Sequence, residues 1–183
     1  MSKVITMELT TKGIEQAIKE IEAYKKDFIK KVDIFREKVA QEITDLAQAG
    51  FNSALVDDVI PSSPNGSSRT AKVTVDFTSN GNITVIATGE NEKDAIWVEF
   101  GAGVYHNGSV GGSPHPEGVK LGYTIGGYGK GRGKGSVWGY YLEPESKKGL
   151  VLTHGTPATM PMYNAMKTIS AKVVTIAREV FGK

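Results

Sequence analysis

Three observations predict an α+β architecture with a long leading helix or helix pair, a small antiparallel sheet carrying a Gly-rich insertion, and a closing helix. Apolar residues recur at a helical step between residues 11 and 55, and again between 161 and 181. Between those stretches lie short alternating segments arranged as hairpins, with no β-α-β rhythm. The 183 residues suit one domain, and 39% hydrophobic with 23% charged residues is enough for a packed core and unlike a disordered chain.

The leading segment carries Ile14, Ile18, Ile21, Phe28, Val32, Phe35, Val39, Ile43, Leu46 and Phe51, spaced by threes and fours or their sums. Thr10 or Thr11 can cap its start. Eight Lys or Arg and eight Asp or Glu between Lys12 and Asp45 cancel, which marks a solvated face and not a nucleic-acid face. The basic cluster from Lys25 to Lys31 leaves one helix or two open, and a helix with a single apolar stripe needs a partner to cover it. Pro61-Ser62-Ser63-Pro64-Asn65-Gly66-Ser67-Ser68 ends any helix and predicts an exposed loop.

Residues 71–100 are expected to hold a hairpin and a following segment. The runs 72–78 and 83–87 alternate in β-branched residues and are joined by Ser79-Asn80-Gly81-Asn82, where Asn-Gly tolerates the positive φ of a tight turn. Ala95-Ile96-Trp97-Val98-Glu99-Phe100 is short and apolar, and its period fits a strand or a helical turn equally. Glu99 and Phe100 then precede Gly101-Ala102-Gly103, as at an element end that needs positive φ. A structural role for Glu99 is favoured over that of a binding carboxylate.

Between residues 101 and 135 lie 13 of the 22 glycines, so the core is expected elsewhere and this stretch reads as a loop insertion. Trp138-Gly139-Tyr140-Tyr141-Leu142 and Leu150-Val151-Leu152-Thr153-His154 flank a polar link and predict a second hairpin over 137–154. Pro157 and Pro161 bracket a rigid connector, and Pro161 suits the first turn of a helix over 161–181. Met162, Ala165, Met166, Ile169, Val173, Ile176, Ala177 and Val180 form its apolar side.

Chemistry is sparse in this pattern. No cysteine is present, which excludes disulfide frameworks, thiol nucleophiles and thiolate metal sites. His106, His115 and His154 lack metal-face spacing, so a zinc site built from them with Glu99 or Glu117 is disfavoured. No nucleophile elbow occurs, and Gly127-Tyr128-Gly129-Lys130-Gly131 lacks the Gly-Lys-Ser/Thr ending of a phosphate loop. No apolar run is long enough to cross a bilayer, and the opening residues have no signal-peptide core. The formal charge of +2 confines any nucleic-acid attraction to a local patch.

One such patch exists. Lys130, Arg132 and Lys134 alternate with glycine near Tyr128 and Trp138, a composition that orders against a protein neighbour or drapes on a phosphate backbone with aromatic stacking. Contact with a partner protein is the favoured reading; a nucleic-acid-binding module is the alternative.

Several motifs in order resemble a known family. They are Ile96-Trp97-Val98-Glu99-Phe100-Gly101-Ala102-Gly103, His115-Pro116, Tyr128-Gly129-Lys130-Gly131-Arg132-Gly133-Lys134, Trp138-Gly139-Tyr140-Tyr141, and the run from Thr153-His154-Gly155 through Met162-Tyr163-Asn164-Ala165. Together they are similar to the neck or tail-completion proteins of long-tailed bacteriophages, the tail components related to the tenth gene product of a lambdoid phage. Many members carry Pro-x-x-Thr-Gly-x-Leu after the leading helix, and this chain departs from that with Pro61 to Arg69.

The resemblance implies a structural virion protein, no enzyme and no cofactor, assembled in the host cytoplasm into the neck of the tail. Its implied partners are itself, as a sixfold or twelvefold ring, then connector or stopper, tail terminator and tail tube proteins, with genomic DNA in the channel as a further candidate and no membrane. Interface candidates are Trp97, Glu99, Phe100, Gly101, Pro157, Pro161, Met162 and Tyr163. Candidates for loop contact with a partner or DNA are Tyr128, Lys130, Arg132, Lys134 and Trp138.

Overall fold

The computed structural model describes residues 6, 8–71, 73–79, 83–89, 93–102, 115–118, 120–121 and 137–182. The fold is α+β, as expected. Helix α1 spans Thr11–Ser53 without a break, strands β1 and β2 are Leu55–Val56 and Arg69–Thr70, and the first hairpin is β3, Val73–Ser79, with β4, Ile83–Gly89. Helix α2 is Asp94–Phe100, the second hairpin is β5, Trp138–Glu143, with β6, Lys148–Thr153, and helix α3 is Pro161–Phe181.

The open choice between one leading helix and two resolves to one, 43 residues long. At a rise of about 1.5 Å per residue it is about 64 Å in length. Thr10 caps it, its hydroxyl oxygen accepting from the Gly13 N–H at 3.1 Å. The charges near Lys25 to Lys31 do not interrupt the backbone; Lys31 pairs with Asp27 one turn back, at 3.5 Å. The helix ends ahead of Pro61, where the Ala54 N–H returns to the Phe51 carbonyl at 3.1 Å.

Helix α3 runs antiparallel to the second half of α1. Its start lies at Gly50, where an added Cβ would stand 2.9 Å from the Pro161 Cβ. Its end is clasped by aromatic rings, Phe181 lying 5.9 Å from both Phe28 and Phe35. The core forms under this pair and the first hairpin: Ile43, Ala47 and Phe51 from α1, Val73 and Val75 from β3, Ala95 and Val98 from α2, and Ala165, Ile169 and Ile176 from α3. Gln48 of α1 stitches the hairpin to the helix, its amide accepting from the Val75 N–H at 3.1 Å and donating to the Val73 carbonyl.

Among the described residues the small antiparallel β structure is divided into three separate two-stranded ladders, β1 with β2, β3 with β4, and β5 with β6. Both predicted hairpins form, with Val75 opposite Ala87 and Tyr140 opposite Val151. They do not merge because the edge of β6 is taken by residues 58–65: the Ile60 N–H donates to the Leu152 carbonyl at 2.9 Å, the Leu152 N–H to the Ser63 hydroxyl at 3.0 Å, and the Asn65 amide to the Leu150 carbonyl at 3.1 Å. The segment from Pro61 to Ser68 is an exposed loop, as expected, and it has a second role. Its prolines face solvent, but its polar groups cover a strand edge that would otherwise be unpaired.

Of residues 101–135 the described ones are 101–102, 115–118 and 120–121; none belongs to the core cluster, although Ala102, His115 and Gly118 are buried. The segment that ends the strand-or-helix ambiguity is α2, helical because Ala95 and Val98 sit three apart on one buried face.

Candidate functional site

Residues 97–102, His115 and the connector 156–163 meet at the junction of α2 and α3. Helix α2 stops at Gly101, whose N–H donates to the Trp97 carbonyl at 2.7 Å and whose φ of 81° and ψ of 154° lie in a region essentially restricted to glycine. Beyond it the chain pairs with the connector: Ala102 and Thr156 exchange two backbone hydrogen bonds at 2.9 and 2.8 Å. Pro157 follows half-buried, and Ala158 packs against the bare face of Gly101, 3.1 Å from where a Cβ would stand.

The start of α3 has an unusual cap. Met160 occupies the cap position in the left-handed region, φ 54°, and offers no side-chain acceptor. Pro161 has no N–H to satisfy. The next two donors go to the Glu99 carboxylate, Met162 N–H to Oε2 and Tyr163 N–H to Oε1, both at 2.9 Å, and Asn164 N–H closes the first helical bond on the Met160 carbonyl at 2.9 Å. A buried anion from α2 thus caps α3 and sits at the positive end of its dipole.

His115 completes this centre. Its Nδ1 accepts the Glu117 N–H at 3.0 Å, which leaves Nε2 to carry the proton and donate to Glu99 Oε1 at 3.2 Å. The ring lies 4.5 Å from Phe100 and 5.1 Å from Tyr163, and both His115 and Glu99 are only 7% exposed. Among the described residues no group of three or more His, Asp or Glu is arranged to hold a metal ion.

Glu99 and Pro161 are consumed inside the subunit, so as interface candidates they act by positioning the connector. Trp97, Phe100, Pro157, Met162 and Tyr163 are half-buried, with Met162 packed on the core. The loop candidates Tyr128, Lys130, Arg132 and Lys134 lie outside the described residues.

Trp138 and Trp97 meet in a second place. Together with Asp57, Arg69, Tyr140 and Tyr141 they line a cleft of about 360 Å³ between β5, α2 and the β1–β2 ladder. Trp138 and Tyr140 have ring centroids 5.7 Å apart, and the Tyr140 hydroxyl donates to Asp57 Oδ2. Burial first, then that hydrogen bond and the negative charge of Asp57, push the Tyr140 hydroxyl up to about 12. Arg69 reaches back to the buried Asp94 at 3.3 Å. Asp57 holds a positive φ of 57°, which aspartate tolerates better than most residues, and its N–H donates to the Thr156 hydroxyl at 3.1 Å.

Reading the residues in order misses Asp57 and Arg69 as partners of the tryptophans, and it misses Glu99 as a cap. One signal for the cap is present: Met160-Pro161 opens a helix with no Ser, Thr, Asp or Asn at the cap position, so the acceptor has to come from elsewhere. Comparison with protein-family models, curated proteins and solved structures finds no match for this chain.

Proposed function

We propose that this chain is a structural subunit of a bacteriophage neck, a tail-completion protein that associates into a ring joining the tail to the capsid connector. Its order of motifs supports the reading, and one observation of the fold carries it. Helix α3 reaches back along α1 as far as Phe28, whose ring meets Phe181, and the preceding turns of α1 project past it with Ile14 43%, Ile18 50%, Ile21 54% and Tyr24 51% exposed. A contiguous apolar stripe of this size is a contact surface for another protein surface, and a ring of copies supplies one at every subunit. Among the described residues no helix is long and apolar enough to cross a membrane, so the stripe is not read as a membrane span.

The test is the mass and shape of the purified chain by light scattering and negative-stain imaging, alone and mixed with tail proteins. Rings in either setting are expected. A monomer that ignores tail proteins at every concentration sinks the reading. Deletion of residues 126–135 should spare folding and block head-to-tail joining, and unimpaired infectious assembly by that variant argues against the role given to the segment. The basic composition of that segment supports a second reading, a nucleic-acid-binding module, whose mark is salt-dependent binding lost on neutralising Lys130, Arg132 and Lys134.

A further inference from the structure

We infer that the projecting half of α1 pairs antiparallel with the same half of a second copy, as a two-helix coiled coil in which Ile18 lies opposite Phe28 of the second copy. Spacing supports the pairing. Ile14, Ile18, Ile21, Lys25, Phe28 and Val32 follow one another by four, three, four, three and four residues, the rhythm that keeps one seam turned toward a partner helix. All six stand on the unbroken α1, and Ile14, Ile18, Ile21 and Phe28 are exposed. Helix α3 ends at Phe181, level with Phe28 and Phe35, and does not reach the earlier turns. Charge sets the direction. Residues 15–22 hold three glutamates and one lysine, a net −2, whereas residues 25–31 hold four lysines and one aspartate, a net +3. An antiparallel pair lays the acidic stretch of each copy against the basic stretch of the other, and a parallel pair in register lays like against like. Such surface charges are screened, so they select the direction while the apolar seam supplies the affinity.

One register satisfies both conditions. With Ile18 opposite Phe28 of the second copy, Ile14 meets Val32 and Ile21 meets Lys25, and the two-fold axis repeats these layers in reverse. Sliding the copies apart by one heptad sets the two acidic stretches against each other. Sliding them together by one heptad brings Ile14 and Ile18 onto Val39 and Phe35, which already pack on the core of their own subunit. Lys25 enters the seam beside Ile21 and Glu22 of the second copy, and a single lysine at such a position fixes register at some cost in stability. A two-fold contact closes on two copies, so the pair does not depend on a ring; where rings form, it joins subunits of two stacked rings.

The chain has no cysteine, so introduced thiols are the only ones present. The probes are two full-length variants, Ile18→Cys and Phe28→Cys, oxidised mildly, each alone and then mixed, and read on a non-reducing gel. In the antiparallel register the two sites share a layer within reach of a disulfide, while each site lies about 15 Å along the axis from its own counterpart. The mixture should give a linked dimer, and each variant alone should stay unlinked. Dimers from each variant alone with none gained on mixing mean a parallel pair, and no dimer in the mixture means no such pair; either result overturns the inference. If Phe28→Cys fails to fold, Ile14→Cys mixed with Val32→Cys asks the same question one layer further out. Mass by light scattering separates the pair from the ring: rings that give no link remove the pair and leave the ring, and a linked dimer that forms no ring, alone or with tail proteins, removes the ring and leaves the pair.

Discussion

Replacing Glu99 by Ala tests whether one buried carboxylate holds the α2–α3 junction. In the native structure it accepts from the Met162 and Tyr163 N–H groups at 2.9 Å and from His115 Nε2 at 3.2 Å, at 7% exposure. Loss of an N-terminal cap costs about 0.5–2 kcal/mol. Hydrogen bonds to a charged group are worth about 1.5–3 kcal/mol each, and donors left buried and unpaired add their own desolvation cost. These contributions overlap, because the cap and the charged hydrogen bonds are the same contacts, so the expected loss is about 3 kcal/mol and not their sum. For a chain of this size that lowers Tm by about 6–12 °C at roughly 2–4 °C per kcal/mol. Glu99→Gln keeps one acceptor oxygen but turns an amide donor toward the helix donors, and its loss should fall between wild type and Ala. Thermal and urea unfolding followed by far-ultraviolet circular dichroism measure both variants. A Glu99→Ala protein within about 0.5 kcal/mol of wild type, the range of neutral surface changes, refutes the capping argument.

Three further outcomes follow from other parts of the structure. Gly101→Ala should cost about 2–3 kcal/mol in urea unfolding, since its φ of 81° with ψ of 154° is nearly forbidden to other residues and the new Cβ would press on Ala158 at 3.1 Å; an unchanged unfolding midpoint counts against that geometry. Ile21→Glu, at a position 54% exposed, should leave subunit stability within about 0.5 kcal/mol while lowering the mass seen by light scattering, and a large loss of stability would mean the stripe is covered within the subunit. Tyr140, raised to about 12 in the folded chain, retains its proton where an unfolded tyrosine with a pKa of about 10 loses it, so its contribution is complete below pH of about 10 and is lost as pH rises toward about 12. Tyr140→Phe should therefore flatten part of the fall in stability over that alkaline window, and identical slopes for the two proteins would contradict the assigned burial and hydrogen bond.

The long elements were legible in the residues because their determinants are local. Threes and fours from Ile14 to Phe51 describe α1, Thr10 marks its start, Pro161 marks the start of α3, and the alternation on either side of 79–82 describes a hairpin, all through contacts within a turn or two of chain. Where local signals balanced, as in 95–100, the outcome waited on packing: Val98 and Ala95 are buried against the core, and that face makes the segment a helix. The ladders stayed separate for a similar reason, the edge of β6 being claimed by residues 58–65, which carry no strand pattern of their own.

By itself, then, the sequence determined the α+β class, the helical leading and closing stretches, the two hairpins and the sharp bend at Gly101, because period, capping and turn chemistry act over short distances, while the unbroken course of α1 was left to the structure. Only the tertiary structure decided that Glu99 caps a helix about sixty residues further on, that Asp57, Arg69, Trp97, Trp138 and Tyr140 share one cleft, and how much of the α1 stripe α3 leaves in water. Those pairings depend on which distant segments come to lie together, and a one-dimensional pattern of residues does not record that.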